Sequence, residues 1–128
     1  STFGRWPTSG PITSYYGKRE DPVYGGTQFH KGIDIGAPTG QSVAAVGSGR
    51  VVMAGSYGGY GLTVMVDHQN GLVTRYAHLS RIDVSEGERV SSGQRVGAVG
   101  STGKSTGPHL DFGVTDGGQT VNPLDYLP

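Results

Sequence analysis

Short β-branched runs cut at close intervals by glycine constrain this chain more than any other feature. Ser42-Val43-Ala44-Ala45-Val46 ends at Gly47, and Arg50-Val51-Val52-Met53-Ala54 lies between Gly49 and Gly55. Glycine makes up 24 of 128 residues, against a usual share of about 7%. Because the glycines separate apolar runs and do not form tracts, they read as turns between strands. Leu62, Val64 and Val66 alternate with Thr63, Met65 and Asp67, and Asn70-Gly71 follows where a tight turn needs positive φ. A hairpin of 62–67 and 72–78 is expected, with further strands near 11–16, 43–46, 49–55, 95–99 and 109–115. No stretch of eleven or more residues carries a 3.6-residue apolar period, so little or no regular helix is expected beyond a short turn within 80–88. The fold class is therefore all-β, with residues 1–9 as a lead-in segment, 10–128 as one domain and the closing 122–127 as a docked tail.

The remaining composition excludes several functions. Lys plus Arg and Asp plus Glu are ten each, which removes the basic footprint of a nucleic-acid binder. No apolar run reaches membrane-span length, so no membrane insertion is expected of this segment, and Ser1 to Pro7 does not resemble a signal peptide. Without cysteine, a metal has to be held by histidine and carboxylate.

Four histidines supply the candidates: His30, His68, His78 and His109. His30 and Asp34 stand four apart in a stretch whose Gly32, Ile33, Ile35, Gly36 and Pro38 argue for extended chain. Four residues of straight strand span about 13 Å, whereas two donors each about 2 Å from one zinc ion lie within about 4 Å. Shared ligation thus requires a bend, which Gly32 allows; taken alone, the spacing better suits a structural or solvent-facing pair. In Gly107 to Val114, period two sends Leu110, Phe112 and Val114 to a core and His109, Asp111 and Gly113 to the other face. That face is either solvated or lines a groove. His78 ends the second hairpin strand, and His68 sits beside the turn with no role assigned.

Ala98 to Ser105 nearly spells a phosphate-binding loop, but that mechanism requires a helix directly after Lys104-Ser105. Thr106-Gly107-Pro108 and a strand follow instead.

Taken together, His30-x-x-x-Asp34, Tyr76-Ala77-His78-Leu79-Ser80, Gly100 to Leu110 and Val121-Asn122-Pro123 closely resemble the lysostaphin-type (LytM-like) zinc metalloendopeptidases of bacterial peptidoglycan. The resemblance runs from about Gly10 to Leu127. It implies compact antiparallel sheets whose long loops wall a narrow groove, peptidoglycan peptides as substrate and an extracytoplasmic location. It also implies Zn²⁺ held by His30, Asp34 and Asp111, with His78 and His109 as the catalytic pair assisting attack of zinc-bound water on the scissile carbonyl.

Asp111 stands where the family's motif has a second histidine, and Gly113 where many relatives carry Glu. Aspartate is shorter than histidine, and two carboxylates cancel the charge of the ion, which makes bound water less acidic. A catalytically impaired relative, binding cell wall or regulating a partner hydrolase, is the alternative. The loops 21–26 and 56–61, with Tyr24, Tyr57 and Tyr60, are expected to shape the substrate groove, with Lys104 on its rim. The tyrosines serve equally well as packing anchors. Oligomeric state is not legible.

Overall fold

The computed structural model describes residues 2–20 and 24–128. Among the described residues twelve strands follow in chain order. They are β1 (Ile12–Ser14), β2 (Gly17–Glu20), β3 (Thr27–His30), β4 (Ile33–Gly36), β5 (Ser42–Ala44), β6 (Gly49–Ser56), β7 (Leu62–Asp67), β8 (Leu72–Ile82), β9 (Arg89–Val90), β10 (Arg95–Val99), β11 (His109–Asp116) and β12 (Gln119–Val121). Among the described residues the helical content is two 3-10 turns, Gly58–Tyr60 and Pro123–Asp125. The chain is all-β, as expected.

One sheet has the spatial order β1-β4-β11-β8-β7-β6-β9, with β12 added to β11, and β10 bridging β5 and β8. β2 and β3 form a separate ribbon. Every pairing is antiparallel. β11 is the strand that matters for the site, because it lies between β4 and β8. Its period of two holds: Leu110, Phe112 and Val114 are in the core, while Asp111 and Gly113 face the other way.

The core packs β-branched residues of β4, β7 and β10 around Tyr76 and Phe112, whose ring centroids are 5.4 Å apart. Tyr76 is fully buried, so its hydroxyl needs partners. It accepts the Val46 N–H at 3.1 Å and lies 2.8 Å from Thr74 Oγ1. Burial pushes this phenol up to about 12. The lead-in segment is anchored by Phe3, which is buried in the same core and whose N–H donates to the Tyr126 carbonyl at 2.9 Å.

The expected β7–β8 hairpin is present. Its turn places Gln69 (φ 64°) and Gly71 (φ 90°) in the left-handed region and is closed by the Asp67 and Asn70 side chains accepting from Gln69 N–H and Leu72 N–H. β8 continues past residue 78 to Ile82, and a turn follows at 86–87. The phosphate-loop reading has no support, because 101–108 is irregular and leads into β11, not into a helix.

Candidate metal centre

β4 and β11 run side by side with Asp34 directly opposite Asp111, so two carboxylates from distant parts of the sequence face the same space. His30 ends β3, and the chain bends back through Lys31-Gly32 into β4. This is the bend that joint use of His30 and Asp34 requires. Gly32 is needed there for space: a Cβ would sit 2.6 Å from the Phe112 carbonyl oxygen and 2.7 Å from Asp111 Oδ1.

The result is a tight triad. His30 Nε2 lies 3.3 Å from Asp34 Oδ1 and 3.4 Å from Asp111 Oδ2. One donor atom from each of the three residues lies within 4.8 Å of the others. Donors of a zinc site lie within about 4 Å of one another, so closing this set around an ion needs a shift of under ~1 Å. Asp34 Oδ1 is buried without a hydrogen-bond partner. A buried carboxylate oxygen in that state is costly unless a cation sits beside it, a place the His30 imidazolium at 3.3 Å or a metal ion can take. The donor set of one imidazole and two carboxylates therefore fits a divalent ion such as zinc.

His78 and His109 stand over the same carboxylates. His109 Nε2 is 3.7 Å from Asp34 Oδ1, and His78 Nε2 is 4.0 Å from Asp111 Oδ2. Their ring centroids are 4.8 Å apart. All three imidazoles have Nδ1 against a backbone carbonyl: His30 on Tyr15 at 3.2 Å, His78 on Thr102 at 2.6 Å and His109 on Gly107 at 2.8 Å. A carbonyl only accepts, so in each neutral ring the proton sits on Nδ1 and the Nε2 lone pair points into the site. That orientation is the one a metal ligand or a general base needs.

Charge shapes the site as well. Burial, the largest single influence, opposes protonation of His30, yet Asp111 and Asp34 together outweigh it and raise the imidazole to about 9. Burial likewise pushes the Asp111 carboxyl up, but His30 and Arg75 hold it below its ordinary value.

Tyr60, Lys104 and Arg19 line the cleft above these groups. Tyr57 stacks on Tyr60 at 5.9 Å and is outside the cleft lining, as is the exposed Tyr24. Residues 21–23 of the first expected groove loop lie outside the described residues. Arg75, Thr102 and Ser105 are site residues that sequence reading did not single out. Arg75 donates to Asp111 Oδ1 at 2.9 Å, Thr102 supplies the carbonyl for His78, and Ser105 Oγ lies 3.2 Å from His109 Nδ1.

Residues 28–123 match the sequence model of peptidase family M23. The chain is 46% identical over 113 residues to the DD-carboxypeptidase/endopeptidase Mpg of Neisseria meningitidis, covering 88% of this chain and 26% of that protein. It is 40% identical over 125 residues to the murein hydrolase activator NlpD of Salmonella dublin, covering 97% of this chain and 31% of the relative. The chain thus spans about a quarter to a third of the length of these relatives. The crystal structure of a zinc-containing peptidase from Vibrio cholerae superposes with a TM-score of 0.91 at 34% identity, covering all of this chain and 41% of that one.

Proposed function

This chain belongs to peptidase family M23, and on that premise we propose that it is a zinc metalloendopeptidase. Its substrates are the cross-link or stem peptides of bacterial peptidoglycan, and it acts outside the cytoplasm. Residues 10–128 form the peptidase domain, with 1–9 as its lead-in. The observation that carries the reading is the convergence of His30, Asp34 and Asp111, with Asp34 Oδ1 buried and without a hydrogen bond among the described residues.

His30, Asp34 and Asp111 would hold zinc. When bound, zinc supplies a Lewis acid for the scissile carbonyl and for water. The chain's own part is proton transfer and orientation. His78 and His109 present Nε2 lone pairs to one point, so either ring can take a proton from the attacking water. The ring that has done so then offers Nε2–H to the developing oxyanion or the leaving amine. Thr102 and Gly107 hold the two rings in that tautomer. Tyr60 and Lys104 are assigned to the substrate groove, whose cleft they line beside His78 and His109; Tyr57 backs Tyr60, and Tyr24 is not part of that lining.

A second reading is favoured by Asp111 and by the similarity to a hydrolase activator. Here the chain keeps the cleft but regulates a partner hydrolase or binds wall peptides without cutting them. Bound zinc and peptide release from purified peptidoglycan, measured on this chain and on Asp111→His, separate the two. Zinc and release by the unaltered chain are expected. Release by Asp111→His alone would favour the second reading, and no zinc or release in either would overturn the enzyme.

A further inference from the structure

We propose that Arg75 is a positioning residue that pins one oxygen of Asp111 and so makes this carboxylate a one-atom donor in the metal centre. The inference rests on the metal reading above. A carboxylate binds a cation through one oxygen or both, and Asp111 offers two. Oδ1 accepts a hydrogen bond from Arg75 Nη2 at 2.9 Å, while Oδ2 faces His30 Nε2 at 3.4 Å. A carboxylate oxygen held in a charge-assisted bond of that length has one lone pair engaged and donates less well to a neighbouring cation than the oxygen left free.

The surroundings of Arg75 fix the guanidinium for this task. Arg75 is only 8% exposed, and a buried guanidinium carries a large desolvation cost. Its Cζ lies 4.4 Å from the centroid of the Tyr60 ring. Two glycines leave room for the group: a Cβ on Gly113 would sit 2.6 Å from Cζ, and one on Gly32 would sit 2.8 Å from Nη2. Nε has no hydrogen-bond partner among the described residues. Arg75 is thus placed by packing and spends its charged bond on Asp111 alone. A guanidinium here also returns a positive charge to a centre whose two carboxylates neutralise a divalent ion, so the ion stays electrophilic.

Gly113→Ala provides a test that spares the fold. The three atoms nearest the added methyl all belong to the far end of the Arg75 side chain, so the guanidinium is the group that must move. Zinc is spectroscopically silent, so cobalt(II) alone serves as the probe. The unaltered chain is expected to give intense visible bands of a low-coordinate site. In Arg75→Met and in Gly113→Ala the bands weaken severalfold as Oδ1 becomes free to join the metal. In an Asp111→His background the same two substitutions leave the bands unchanged, because an imidazole has a single nitrogen to offer there. Thermal unfolding without metal identifies any variant that has lost its fold, and a folded Gly113→Ala suffices by itself. Bands in Gly113→Ala and Arg75→Met equal to those of the unaltered chain would overturn the inference. Failure of cobalt uptake by both the unaltered chain and Asp111→His would instead overturn the metal reading beneath it.

Discussion

His78 sits in left-handed backbone, with φ 61° in the middle of β8. For a residue with a side chain this conformation costs about 1–3 kcal/mol and persists only where the surroundings enforce it. Here the enforcement is the Thr102 carbonyl at 2.6 Å from Nδ1, itself placed by Thr102 Oγ1 donating to the Leu79 carbonyl. His78→Val is therefore expected to destabilise the fold by about 1–3 kcal/mol in urea unfolding. Asparagine tolerates this backbone, so His78→Asn should stay close to wild-type stability while losing peptide release. The triad and the histidine pair are legible through the resemblance of their combined motifs to a known family, whereas spacing alone suits a structural or solvent-facing pair. Arg75 is not legible: Thr74-Arg75-Tyr76 reads as one charge in an alternating strand, and such charges are mostly solvated. It is buried because β11 lies alongside β8, which local pattern does not reveal.

Among the elements, the β7–β8 hairpin and β11 could be read from period two, whereas the β2–β3 ribbon could not. Gly17-Lys18-Arg19-Glu20 has no apolar alternation to report, since that strand is almost wholly exposed. β9 and β12, of two and three residues, are too short to carry a pattern. The hairpin has its own pH dependence. His68 lies 4.9 Å from the Phe3 ring and 2.8 Å from Thr74 Oγ1, and burial, opposed by the Ser48 carbonyl and Asp67, pushes its imidazole below the ordinary value. The unfolded chain binds this proton more readily. Its contribution is thus present above the unfolded value of about 6.5 and is lost as pH falls through the lower folded value. Urea unfolding at about pH 7 and about pH 5 should show a smaller acid loss for His68→Gln than for the unaltered chain. The turn before β7 is equally constrained. Gly61 (φ 69°) places any Cβ 2.5 Å from the Thr102 carbonyl carbon. Gly61→Ala should cost about 1–3 kcal/mol in urea unfolding and slow peptide release by displacing the acceptor of His78.

At the scale of the molecule, stability depends on a core that includes the lead-in. Phe3→Ala is expected to lower the unfolding free energy by about 3–5 kcal/mol, with metal uptake unchanged at temperatures where the variant is folded. Zinc should raise the melting temperature, since an ion that binds the folded state at 100 times its Kd adds about 2.7 kcal/mol; a chelator should reverse the gain. The strand order puts β11 between β4 and β8, so residues contributed near the end of the sequence complete a centre begun at His30. Chains made from the N-terminus fold as their segments emerge from the ribosome. A nascent molecule still short of residue 109 has neither His109 nor Asp111 to offer, so the centre begun at His30 stays open until β11 has been made.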